Sequence, residues 1–180
     1  MKTSTRNLTF AAMFLAIGQV LPFITGQIPQ IGKMLCPMHF PILLCGFFCG
    51  WQYGAVIGFI CPLLRSLLFG MPVLYPSAIG MAFELMTYGL VAGLLSKKLG
   101  TDALWKIYVS LIGAMLCGRA VWGLAQIVLL GIKGDGFTFS AFLAGGFINA
   151  FPGIILQLVF IPFLVRLFRQ RIEKESIKHE

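Results

Sequence analysis

Three charged side chains lie inside long apolar runs of the sequence. Arg65 and Glu84 bound the stretch "RSLLFGMPVLYPSAIGMAFE", and Arg119 follows in a later run. A charged side chain deep in a bilayer costs at least roughly 2.5 to 3.5 kcal/mol, so such residues persist only with partners. Two guanidinium groups and one carboxylate leave a surplus of one positive charge, which the carboxylate of a small ligand would balance.

The same three charges also admit a purely structural interpretation. An ion pair between Arg65 and Glu84 would join the third apolar run to the fourth. Arg119 would then extend its guanidinium toward the membrane surface or bond to backbone carbonyls. Both interpretations are open at this point.

Other polar and aromatic residues are expected near these charges. His39 and Asn149 are predicted to lie in the same outer layer of the membrane as the three charged groups. Tyr88 and Trp122 lie one turn or less from Glu84 and Arg119, so we expect them to wall a cavity. The three remaining glutamines inside apolar runs are interpreted as packing contacts between helices: Gln19, Gln126 and Gln157.

The composition indicates a membrane protein. Of the 180 residues, 58% are hydrophobic and only 11% are charged, whereas soluble domains average about 25% charged residues. The net charge of +8 does not indicate nucleic-acid binding, because the basic residues stand at the ends of apolar runs rather than in a basic stripe. Lipid is the expected solvent of this chain.

Six apolar runs are predicted to form a single all-α domain over residues 1–180. Their bounds are about 8–24, 39–51, 53–70, 76–96, 104–130 and 140–165. Ten of the 14 basic residues fall on one side of these runs, and basic residues are retained on the cytoplasmic side. We therefore expect both termini in the cytoplasm. Gly145, Gly146 and Pro152 are expected to bend the last run.

Two further features lie in the first quarter of the chain. The mixed segment "TGQIPQIGKMLCPM" is too long for a simple connector and is typical of a functional lid. Ala12 and Ala16 form a strip of small residues where another helix can approach closely. Cys36, Met38 and His39 have side chains that can bind a soft metal. The sequence has no second pair of ligands at metal-binding spacing, so no metal or cofactor is predicted.

The sequence resembles the substrate-binding S-components of energy-coupling factor (ECF) vitamin transporters. The resemblance rests on the six runs, the long first loop and the Ala12–Ala16 pair. It also rests on the charges around "CPMHFPILLCGFFCGWQYGAVIGFICPLLRSLLFGMPVLYPSAIGMAFELMTYGLVAGLL". Within that family the sequence is most similar to the pantothenate-type branch. The resemblance implies a multi-pass protein of a prokaryotic cell membrane that binds a small vitamin from outside.

The resemblance also implies partners. In the family, a membrane-embedded T-component docks on the alanine strip of the first helix, which corresponds to Ala12 and Ala16, and two ATPases drive uptake. The first loop, residues 25–38, would cap the vitamin. The sequence contains no Walker-type nucleotide motif, so the chain needs an energising partner.

The sequence gives less support to an enzyme or to a stand-alone facilitator. An intramembrane enzyme could use Glu84 and His39 as acid and base, but no nucleophile elbow or H-E-x-x-H motif is present. A stand-alone facilitator lacks support, since the halves show no inverted-repeat character. An S-component for nicotinate, folate or pyridoxine, or a structural membrane subunit without a ligand, remain the alternatives.

Overall fold

The fold is entirely helical in the part of the chain that the structure describes. This computed structural model describes residues 3–24 and 28–177, apart from the side chains at 3, 4, 29, 33 and 170–177. Helices make up 88% of the chain, and no strand occurs in those described ranges. The expected all-α membrane bundle is therefore confirmed.

Eight α-helices and two π-helical turns follow one another along the described residues. The α-helices are α1 (Thr3–Ile24), α2 (Pro29–Leu35), α3 (His39–Cys49), α4 (Trp51–Phe69), α5 (Ile79–Leu99), α6 (Leu104–Lys133), α7 (Phe139–Leu143) and α8 (Phe151–Ile177). A π-helical turn at Leu74–Ala78 precedes α5, and another at Ala144–Ile148 follows α7. α1 begins five residues before the first predicted run, at Thr3 rather than 8, and α8 ends twelve residues after the last one, at Ile177 rather than 165.

Among the described residues, five segments are long and apolar enough to cross a membrane. They are Thr5–Ile24, Trp51–Phe69, Leu74–Leu99, Leu104–Lys133 and Phe151–Arg169. The helix α3 is apolar but has only 11 residues, and a complete crossing needs about 20. The count of six spans and the cytoplasmic placement of both termini therefore stay predictions.

Glycines end two of the membrane helices in a left-handed conformation. Gly70 follows α4 with φ of 69°, and Gly134 follows α6 with φ of 84°. A residue without Cβ adopts this geometry at little cost, and its N–H then bonds to a carbonyl of the last turn. These two glycines therefore mark the ends of α4 and α6.

The structure differs from the sequence prediction in two segments. Residues 25–38, expected as an irregular loop, contain the helix α2, which begins with Pro29 at its first turn, a position where the missing N–H costs nothing. The last apolar run is interrupted at Asn149 and Ala150, where glycine and proline residues relax the helical hydrogen bonding. The predicted bend is thus a two-residue interruption between the π-helical turn at Ala144–Ile148 and α8.

Close backbone contacts join α3, α4 and α5. A Cβ added to Gly89 would lie 2.2 Å from the Gly54 oxygen, and one added to Gly58 would lie 2.3 Å from the Leu85 oxygen. Small residues allow such contacts, which stabilise helix pairs where lipid supplies no hydrophobic driving force. The helices that carry His39, Arg65 and Glu84 therefore have fixed positions relative to one another.

Candidate ligand-binding site

A cavity of about 430 Å³ lies at one end of the bundle. Its walls come from α2, the first turn of α3, the last turns of α4, the segment before α5, and α5 and α6, with Gly145 and Asn149 at the break before α8. Lining residues include Ile28, Gly32, Cys36, Met38, His39, Arg65, Met71, Ser77, Met81, Glu84, Arg119, Trp122, Gln126, Gly145 and Asn149. This volume is within the range of small-molecule sites.

Glu84 is at the centre of the charged group in this cavity. Its side chain is buried, and Oε1 lies 2.8 Å from Arg119 Nη1 and 3.5 Å from His39 Nε2. These contacts join α5 to α6 and to α3. A buried carboxylate is tolerated when a cation and further polar groups replace its lost water. The structural alternative that paired Glu84 with Arg65 is therefore wrong.

Arg65 lines the same cavity, but its guanidinium contacts a backbone carbonyl and two aromatic rings instead of a carboxylate. Its Nη1 donates a hydrogen bond to the Gln19 carbonyl of α1. Its guanidinium carbon lies 4.9 Å from the ring centroid of Phe23 and 5.1 Å from that of Phe69, a separation at which cation–π attraction acts. Arg65 forms no ion pair with any residue of the described ranges, because its guanidinium reaches toward α1 instead.

The charges of the cavity do not cancel. Glu84 compensates Arg119, while Arg65 has no carboxylate beside it in the described part of the chain. The formal charges of Arg65, Arg119 and Glu84 give the described lining a surplus of one positive charge. Three buried nitrogens of the lining residues also have no hydrogen-bond partner among the described residues: His39 Nδ1, His39 Nε2 and Arg119 Nε. Buried donors without partners are uncommon in folded proteins and indicate a site for another molecule.

The remaining predicted site residues take different positions. Trp122 and Asn149 line the cavity. Tyr88 is fully buried below it, where its ring meets that of His39 at a centroid distance of 5.2 Å. The ring also occupies the space above Gly118, where a Cβ would lie 2.0 Å away. Tyr88 therefore supports His39 and does not line the cavity.

Gln126 and Cys36 line the cavity, although the sequence analysis gave them other roles. Gln126 lines the cavity and is buried, and its Nε2 would lie 2.7 Å from a Cβ on Gly80, so the glycine provides its space. Cys36 accepts a long contact of 3.9 Å from Arg119 Nη2. Burial raises the pKa of the Cys36 thiol to about 11, so it is protonated at neutral pH.

The short helix α2 covers part of the cavity. Ile28, Gly32 and Cys36 contribute to the lining, and the α2 backbone packs on α8, where a Cβ on Gly153 would lie 2.7 Å from the Met34 oxygen. The first three residues of the predicted lid, 25–27, lie outside the described residues. The described part of the lid is in the position that a cap over the cavity requires.

Ala12 and Ala16 lie on a different surface of the molecule. Both are exposed on α1, in one row with Leu8 and Val20, which are 60% and 61% exposed. Gly18, two residues beyond this pair, points into the bundle, since a Cβ there would lie 2.7 Å from Cys61 Sγ. The small-residue strip is thus an open face of α1, away from the cavity.

The fold and the cavity define a helical membrane protein that can hold a small molecule at one end of its bundle. Comparison with family models gives a match to the ECF transporter substrate-specific component over residues 6–165. The chain belongs to that family, so it is a substrate-specific subunit of an ECF transporter and not a member of an enzyme family. Searches of curated proteins and of solved structures found no match.

Proposed function

We propose that this subunit binds a small vitamin carrying one carboxylate, with pantothenate favoured, from outside the cell. It delivers the vitamin inward together with a T-component and two ATPases in a prokaryotic plasma membrane. The observation that carries the proposal is the surplus positive charge of the cavity, where Arg65 has no carboxylate partner among the described residues. A monoanion would neutralise the site.

The ends of the vitamin would meet different groups in the cavity. Its carboxylate would lie beside Arg65, whose other interactions are with a carbonyl and two aromatic rings. Hydroxyl and amide groups would be bound by His39 Nδ1 and Arg119 Nε, two of the buried atoms that have no hydrogen-bond partner in the described ranges. Gln126 and Asn149 offer further amide groups on the same wall.

The geometry also supports this proposal against a structural subunit without a ligand. Three charges used only to join helices would form a compact, fully paired group. Instead, Arg65 and the Arg119–Glu84 pair line one cavity under a short helix. Ala12 and Ala16, exposed at the other side of α1, would form the docking strip for the T-component.

Calorimetry on the purified subunit tests the proposal. We expect one-to-one binding of pantothenate, while pyridoxine, which has no carboxylate, should not bind. Arg65→Gln should weaken binding by roughly 10- to 150-fold, the effect of losing one hydrogen bond to a charged group. Arg166→Gln is the matched control, because this exposed arginine does not line the cavity. Tight binding of pyridoxine, or equal affinities in both variants, would contradict the charge argument.

A further inference from the structure

A second cavity of about 430 Å³ opens on the lipid-facing side of the bundle, between α1 and α8. It is an apolar groove rather than a charged pocket. Phe14, Ile17 and Leu21 of α1 form one wall. Leu156 and Phe160 of α8 belong to the opposite wall, and the first turns of α3 form the floor.

The composition of the groove selects an apolar occupant. Every side chain in its lining is a hydrocarbon or aromatic group, including Phe40 and Leu44 of α3 and Leu164 of α8. The groove lies along helices that are long enough to cross a membrane, so it faces acyl chains rather than water. Lipid tails fill such a space readily.

A basic residue lies in register with this groove. Arg6, Phe10, Phe14, Ile17 and Leu21 are spaced by three or four residues, so they share one face of α1. Arg6 is exposed and forms no ion pair within the described ranges. The face of α1 that lines the groove therefore also carries Arg6, a guanidinium with no ion-pair partner among the described residues, at the N-terminal end of the helix.

The distances along α1 match one leaflet of a bilayer. At about 1.5 Å per residue, Phe14 lies about 12 Å from Arg6 along the axis, and Ile17 lies about 16 Å from it. Half of the hydrocarbon core is about 15 Å. A phosphate beside Arg6 would thus place an acyl chain past Phe10 and its end in the groove.

We propose that this groove binds one acyl chain of an anionic phospholipid, whose phosphate pairs with Arg6. The lipid belongs to the leaflet at the N-terminal end of α1, the cytoplasmic leaflet in the expected orientation. The site is separate from the docking strip, because Ala16 precedes Ile17 by one residue and is rotated by about 100° around α1. It is also independent of the vitamin.

Lipid retention tests the proposal on the full chain. The protein is reconstituted into vesicles that contain equal amounts of phosphatidylglycerol and phosphatidylcholine, extracted, and examined by native mass spectrometry. We expect one retained phosphatidylglycerol per chain. Ile17 is 36% exposed, so the larger side chain of Ile17→Trp would occupy the groove and should abolish retention of the lipid. Val109→Trp is the control, because Val109 is a lipid-facing residue of α6 that is 47% exposed.

The headgroup has its own pair of variants. Arg6→Gln should lower the preference for phosphatidylglycerol over phosphatidylcholine about fivefold, the effect of one basic residue near an anionic surface. Lys98→Gln, which removes an exposed charge remote from the groove, should leave the preference unchanged. Equal retention of both lipids by the wild-type protein would overturn the proposal.

The competing occupant is a helix of a partner subunit. If Ile17→Trp retains its lipid but fails to assemble with the energising subunits, the groove is a protein-docking site and the lipid proposal is wrong. Circular dichroism and gel filtration of each variant verify the fold. Because vitamin binding is measured separately by calorimetry, failure of the lipid proposal leaves the proposed vitamin site unaffected.

Discussion

Replacement of Arg119 by methionine should destabilise the protein severely. The guanidinium lies 2.8 Å from Glu84 Oε1, and at an effective dielectric constant near 20 the attraction between two unit charges at this distance is about 6 kcal/mol. Most of this attraction offsets the desolvation of the two groups. Removing only the cation leaves a buried carboxylate whose remaining neighbour is His39 at 3.5 Å, and such losses cost about 3–5 kcal/mol.

A double-mutant cycle measures this coupling. For a chain of this size, about 3–5 kcal/mol corresponds to a fall in Tm of roughly 6–20 °C, followed by intrinsic fluorescence in detergent. Adding Glu84→Gln to Arg119→Met removes the uncompensated charge, so the double variant should recover most of the lost Tm. If the effects of the two substitutions simply add, the two side chains are not coupled and the assignment of the ion pair is wrong.

Three further predictions concern packing, surface charge and the partner surface. Gly89→Leu should prevent folding to a monodisperse protein in gel filtration, because even a Cβ would lie 2.2 Å from the α4 backbone, whereas Gly131→Ala, with open space around it, should fold normally. The hydrogen bond from Lys106 holds the pKa of Asp102 below its ordinary value. The contact between the two side chains therefore stabilises the fold fully when the pH is above the ordinary pKa of Asp102. This stabilisation is lost as the pH falls through the lowered pKa. Lys106→Gln should raise the pKa of Asp102 toward its ordinary value in a carboxyl ¹³C NMR titration, and an unchanged titration curve would exclude this contact in solution. Ala12→Trp should abolish ATP-dependent uptake but not vitamin binding, with Ala12→Ser as control; uptake that survives the tryptophan would contradict the docking strip.

Most of the helical architecture could be predicted from the sequence. Apolar runs indicate membrane helices, because unpaired backbone groups and charged side chains are costly in lipid. Gly70 and Gly134 mark helix ends, because they adopt a left-handed conformation that other residues disfavour. The short helix α2 was missed because its seven residues, Pro29–Leu35, are too few to show a helical period. It is stabilised by tertiary contact with α8 rather than by its own propensity.

The site was harder to predict than the fold. The sequence predicted that Arg65, Glu84 and Arg119 lie at similar depths, and all three line one cavity. Which arginine pairs with Glu84 depends on helix rotation, which spacing along the chain does not determine. Gln126 was interpreted as a packing residue because an isolated amide carries no directional signal, and its role follows only from the space above Gly80.

The contact between α2 and α8 has a mechanical consequence. At Gly153 the two backbones touch without an intervening side chain, so α2 cannot move further toward α8 at this point without displacing it. From there α8 continues without interruption to Ile177, past Arg169, whose Nη1 donates to Thr101 Oγ1 beyond the end of α5. α8 thus runs as one helix, with Pro162 in its interior, from the cover of the cavity to the far end of the bundle, so a displacement of α2 that moves α8 would also move that end.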